Sequence, residues 1–162
     1  MTPSSVGNRR CGEEVALECR LCYEAGQQFR GRAPSALEQH AYGLITGLHP
    51  GQLIVTEWRL LDRYKSADVV VLGQCPATDP PIAIHVDGNQ HDKAQYRQLS
   101  KHDRDYDGKL MQGGVVVVRL HGKDKEGSSW LHLLQQAKTM QQQGKVDYLL
   151  SPHYSTQNDS PS

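Results

Sequence analysis

The stretch IAIHVDGNQH (residues 82–91) decides how this sequence folds and where its chemistry lies. Its first six residues are dense in β-branched side chains and end at a glycine, which predicts a strand. Residues two apart in a strand face the same way, so Ala83, His85 and Asp87 share one face and Ile82, Ile84 and Val86 the other. Burying an imidazole and a carboxylate at the end of an apolar strand is costly unless they have partners or a task. Upstream, SADVVVL (66–72) predicts a second strand with Asp68 at its start. Neighbouring strands lie about 4.8 Å apart, so Asp68 can converge with residues 85 and 87 on one ion. Carboxylate oxygens suit Mg2+. His91, four residues beyond Asp87, is placed to take a proton from a water at that ion.

Working outward, QLIVTEWRL (52–60) is a third extended stretch, and GQCPATDPP (73–81) must be a loop because of its three prolines. A helix is predicted over PSALEQHAYGLITGL (34–48), with Leu37, Ala41, Leu44, Ile45 and Leu48 as its apolar stripe. Ser35 and Glu38 have capping-box spacing, which by itself accounts for Glu38. His49-Pro50-Gly51 stops that helix. Residues 93–111 predict a polar helix laid on the sheet by Tyr96, Leu99, Tyr106 and Leu110, ended by Gly113-Gly114. VVVVRL (115–120) predicts a strand covered on both faces. The last helix, 129–143, buries Trp130, Leu133, Leu134, Ala137 and Met140 and is capped by Gly144, and VDYLL (146–150) adds an edge element. The expected fold is therefore α/β, with an αβββαβ core and a mixed central sheet flanked by helices.

At 162 residues the chain suits one domain, expected over 35–150, between a polar, flexible segment 1–34 and a disordered tail 151–162. Lys plus Arg and Asp plus Glu number 18 each, so any nucleic-acid contact must come from a local patch and not from net charge. No apolar run reaches the roughly 20 residues that span a bilayer, and no hydrophobic segment follows MTPSSVGNRR as a secretory signal would require. Four cysteines are too few for a secreted disulfide scaffold, so an intracellular, reducing setting is expected. Cys19 and Cys22 have the two-residue gap of a zinc pair, and Cys11 adds a third thiol. Zn2+ there would need a fourth ligand from a histidine or Cys75, so unligated thiols are the simpler reading.

From Ser35 to about Leu134 the chain resembles the PD-(D/E)XK nuclease superfamily. It is most similar to the very-short-patch-repair branch and related restriction-endonuclease-like proteins. The residues that carry the likeness are Glu38 in SALEQH, Asp68 in SADVVVL, the stretch IAIHVDGNQH, and DRDYDGKLMQGGVVVVRL (103–120). In the family the strand reads as an acid, a variable residue and Asp-Gly, with a histidine soon after. Asp87-Gly88 and His91 match, and His85 stands where the acid would be.

The resemblance implies a restriction-endonuclease-like core that hydrolyses double-stranded DNA in repair or restriction. It makes Asp68 the primary Mg2+ ligand, Asp87 and the Val86 carbonyl its companions, and His91 the general base. Glu38 would lie at the site's edge, His85 would line it, and Arg119, Lys101 and Arg104 would contact nucleic acid. An imidazole at position 85 shifts the metal preference from Mg2+ toward Mn2+ or Zn2+. RNA-binding RAP domains resemble the same core, which leaves a catalytically inactive module binding DNA or RNA as the alternative. Asp68 and Asp87 carboxylates within about 5 Å of each other suit a shared ion, whereas a salt bridge from either to Lys or Arg suits the binding module.

Overall fold

The computed structural model describes residues 35–62, 65–75, 78–88 and 100–154. Helix α1 (Ala36–Leu48) opens the fold. The Ser35 hydroxyl accepts from the Glu38 amide at 3.1 Å and the Glu38 carboxylate accepts from the Ser35 amide at 2.7 Å, which completes the capping box. The chain leaves at His49, helped by Gly51 at φ 80°.

Strands β1 (Ile54–Trp58), β2 (Ala67–Val71) and β3 (Ile82–Asp87) then form an antiparallel meander. Parallel neighbours need crossovers. Helix α2 (Lys101–Gln112) carries the chain over to β4 (Val116–His121), parallel to β3, and α3 (Ser129–Gln143) carries it to β5 (Tyr148–Leu150), parallel to β4. The sheet order is β1-β2-β3-β4-β5, a mixed α/β architecture with helices on both faces, in the element order the sequence predicts.

The two faces build two cores. Ala41 and Ile45 of α1 and Trp130, Leu133 and Leu134 of α3 pack on Ile82, Ile84, Val116 and Val118. On the opposite face Tyr106 and Leu110 of α2 pack on Val70, Ala83, Val115 and Val117. Strand β4 lies between these layers and is buried along its whole length, as a continuous apolar run requires. Gln141, on the buried side of α3, is no misfit: its amide donates to the carbonyls of Val71 at 3.1 Å and Pro80 at 2.9 Å and ties down the proline-containing connection. Among the described residues, no helix is long and apolar enough to cross a membrane.

Two boundaries differ from expectation. Helix α2 starts at Lys101, not at 93, because Ser100 caps it by accepting from the Asp103 amide at 3.1 Å. Tyr96 and Leu99, which the longer helix would have used, lie outside the described residues. The domain also does not end at 150. Ser151 and Tyr154 are buried, and Ser151 is bonded through its amide to the Arg119 carbonyl at 2.9 Å and through its hydroxyl to the His121 amide at 3.0 Å. Residues 151–154 thus belong to the fold and not to a tail. Segment 1–34, with Cys11, Cys19, Cys22 and their proposed zinc, and residues 155–162 lie outside the described residues.

Candidate metal centre at the strand ends

The topology gathers the C-terminal ends of β3 and β4 with the N-terminal ends of β2, α1 and α2. Between them lies a cavity of about 700 Å³, walled by Glu38, Asp68, His85, Asp87, Asp103 and Arg119 among others. In open α/β sheets, ligands bind beyond the carboxyl ends of the strands.

Asp68 reaches this cavity by an irregularity in the β1–β2 ladder. The pairs Ile54–Val71, Val55–Val70 and Thr56–Val69 run in register and Trp58–Ala67 follows, with the ladder skipping the Glu57–Asp68 position between them. Glu57 has φ 55°, a left-handed conformation rare for a residue with a Cβ. The break upsets the inside-outside alternation. Trp58 and Ala67 join the α2-side core although Val69 and Val71 belong to the α1-side core, and Thr56, Glu57, Asp68 and Val69 all border a smaller pocket of about 300 Å³ against α1. Glu38, Glu57 and Asp68 consequently bring ligand oxygens within 4.8 Å of one another.

One oxygen of Asp68 accepts the Val86 amide at 2.7 Å, taking the place of a ladder carbonyl at the end of β3. Burial, with the nearby carboxylates of Glu38 and Asp87, pushes the Asp68 carboxyl up to about 7, although the Val86 amide favours its charged form. Like charges this close favour a proton on Asp68 or a cation beside it. Three hard oxygen donors fit Mg2+ or Mn2+ and fit Zn2+ less well.

Asp87, on the α2-facing side of β3 with Ala83 and His85, borders the same cavity and is not part of the trio. Arg119 Nη1 lies 3.4 Å from one of its oxygens, and the Tyr154 hydroxyl donates to the other. Arg119, 3% exposed, is itself gripped in a fork by Asp107, which is 0% exposed: Nε lies 2.7 Å from one carboxylate oxygen and Nη2 2.9 Å from the other. Tyr148 donates to the same Asp107 at 2.5 Å. Burial and the carboxylate each one faces raise both phenols well above their usual value, so both remain donors. Burial opposes the Arg119 charge, but Asp107 and Asp87 outweigh it and keep the guanidinium protonated.

His85 lies beneath this network. Burial, and the Arg119 charge beside it, hold its pKa well below the ordinary value, so the ring is neutral. Its Nε2 is 3.5 Å from Asp107 and has no hydrogen-bond partner among the described residues, while its ring meets Tyr106 edge-on at 5.8 Å. On the outer rim Lys65 bonds Asp103 at 2.9 Å. Burial works against the Asp103 charge, yet Lys65 and Arg119 hold its carboxyl below the usual range.

The structure thus brings Asp68 together with Glu38 and sets Asp87 against Arg119. Asp68 and Asp87, expected to share one ion, border the same cavity, and Asp68 also stands in a trio with Glu38 and Glu57 that the sequence did not suggest. Val86 meets Asp68 through its amide. Arg119, 3% exposed, pairs with Asp107 and Asp87 while it borders the cavity. Lys101 and Arg104 are exposed on α2, and Lys101 bonds Asp105 at 2.9 Å. His91 lies outside the described residues. Glu57, Asp107, Tyr148 and Tyr154 were not singled out from the sequence. TEW reads as ordinary strand, and the other three acquire their roles only from partners 12 to 67 residues away.

Comparison of the chain with protein-family models, with curated proteins and with solved structures gives no match.

Proposed function

We propose that this protein is a metal-dependent endonuclease with a restriction-endonuclease-like core, acting on double-stranded DNA. The observation that carries the reading is the convergence of Glu38, Glu57 and Asp68 within 4.8 Å, with Glu38 and Asp68 lining the strand-end cavity and all three lining the smaller pocket against α1. Four carboxylates line that cavity against two cationic side chains, and the charge of one of these, Arg119, is already answered by buried Asp107. Such a field draws in a divalent cation and repels a bare phosphate. Asp68, with Glu38 and Glu57 beside it and Asp87 across the cavity, would hold the cation. A divalent cation supplies charge stabilisation at the scissile phosphate and makes water more acidic. The chain contributes the anionic cradle, a neutral His85 in the cavity wall, and the exposed Lys101 and Arg104 as contacts for the nucleic-acid backbone.

One observation favours a second reading, a nuclease-fold module that binds DNA or RNA without cutting it. Asp87, the acid that matches the family strand, is ion-paired to Arg119. Supercoiled plasmid incubated with the full chain in Mg2+ or Mn2+, beside Asp68→Asn, separates the two. The nuclease reading expects nicking by the wild type and none by Asp68→Asn, with equal DNA binding in chelator. Binding without nicking by either protein selects the binding module. Nicking unchanged in Asp68→Asn removes Asp68 from the chemistry.

A further inference from the structure

Tyr154 stands outside every motif of the sequence, yet its hydroxyl reaches the site. The segment after β5 delivers it. Ser151 fastens that segment to β4 through two hydrogen bonds, and the His153 amide donates to the Asp124 carboxylate at 3.0 Å. The Tyr154 ring, 1% exposed, stands edge-on to His121 with centroids 5.2 Å apart. Its hydroxyl is therefore placed by a strap held at both sides, and the acceptor it meets is Asp87.

Asp87 has little else to orient it. Arg119 gives Asp107 two short bonds of 2.7 and 2.9 Å, and offers Asp87 one contact of 3.4 Å. The shorter, two-point grip of Arg119 goes to Asp107, which is fully enclosed, while Asp87 borders the cavity. Tyr148 does for Asp107 what Tyr154 does for Asp87, but Asp107 does not border the cavity and Asp87 does. The two tyrosines are a matched pair in which one partner acid faces the cavity and the other only the interior.

We propose that Tyr154 is a positioning residue of the cation site, acting through Asp87. The inference rests on the metal reading above and adds a member that no motif contains. Hydrogen-bond partners of ligating carboxylates set their orientation, and losing one typically costs about 10–100-fold in metal affinity. The hydroxyl fixes the Asp87 carboxylate plane and leaves lone pairs on both oxygens for the cavity.

The test is a Mn2+ titration of the full chain, read by the EPR signal of free Mn2+, with Tyr154→Phe, Asp87→Asn, their double variant, Tyr148→Phe and Asp68→Asn. Thermal unfolding in chelator checks that each variant is folded. Tyr154→Phe is expected to bind Mn2+ at least about 10-fold more weakly. The double variant should bind no more weakly than Asp87→Asn alone, the mark of two groups acting as one. Tyr148→Phe should bind like the wild type. The inference is overturned if Tyr154→Phe binds within twofold of the wild type, if Asp87→Asn has no effect, if the double variant shows the product of both losses, or if Tyr148→Phe weakens binding equally. A loss confined to Asp68→Asn overturns the role of Tyr154 and leaves the metal reading standing. Unchanged binding in Asp68→Asn, or none in the wild type, takes the metal reading down with it.

Discussion

Replacing Asp68 by Asn tests the crowded acid trio through stability alone, with no assumption about substrate. The Asp68 carboxyl is raised from 3.8 to about 7 in the fold, with burial as the first cause and Glu38 and Asp87 adding to it. The folded protein therefore holds this proton more tightly than the unfolded chain, and stability falls as pH rises through that window. Each pH unit is worth about 1.4 kcal/mol, so the whole rise amounts to about 4 kcal/mol. Asn is isosteric with the protonated acid, can still accept the Val86 amide, and turns a donor toward Glu38. Asp68→Asn should match the wild type near pH 4 and exceed it by about 4 kcal/mol at pH 8. Urea unfolding in chelator at pH 4.5, 6 and 8 measures the difference. His49 and His85, whose pKa values burial lowers, add stability as pH rises, but both proteins carry them and the subtraction removes them. Mn2+ at about 100 times its Kd should return about 2.7 kcal/mol to the wild type at pH 8 and nothing to the variant. A difference that stays flat from pH 4 to 8, or a variant less stable than the wild type at pH 8, refutes the reasoning.

Two further substitutions probe the frame around the site. Arg119→Met leaves the buried Asp107 charge with only Tyr148 for company, and urea unfolding should show a loss of about 3–5 kcal/mol; an unchanged midpoint would mean that the fork to Asp107 does not form. Gly73→Ala puts a Cβ 2.4 Å from the Asp79 Cβ, in the connection between β2 and β3 where the Asp79 carboxylate accepts the Cys75 amide. That crowding should lower stability by about 1–3 kcal/mol, measured by thermal or urea unfolding.

What could be read in the sequence was whatever a few adjacent residues decide. The capping box at Ser35 and Glu38, the turn at Gly51, the helix 129–143 with its left-handed Gly144 and the β-branched runs of β2, β3 and β4 all follow from local spacing, and they appear where expected. The start of α2 was missed because Ser100 competes as a cap with an apolar spacing that continues upstream. The placing of residues 151–154 failed for a different reason. A polar, proline-containing stretch reads as tail, and only β4 and Asp124 show what its amides and hydroxyls bond to.

The site was legible on one strand and not on the other. Strict alternation holds in β3, so His85 and Asp87 face α2 as their spacing demands. The expectation that Asp68 meets Asp87 rested on the spacing of neighbouring strands, whereas strict alternation in β2 would put Asp68 on the face of Val70, toward α2. The left-handed Glu57 breaks the rule. At the Glu57–Asp68 step, where the β1–β2 ladder skips a pair, both acids turn toward α1, where Glu38 waits at the first turn of the helix. A strained backbone at a non-glycine persists only where its surroundings compel it, and such residues cluster at functional sites. Here the strain has a visible result: three carboxylates share one corner, and Asp87 is left to Arg119 and Tyr154. A sequence that kept Asp68 for a turn would need neither the left-handed Glu57 nor a second acid beside it. On the metal reading proposed above, a cation between the three would offset that cost, and the stability of the trio should then respond to pH and to Mn2+ together.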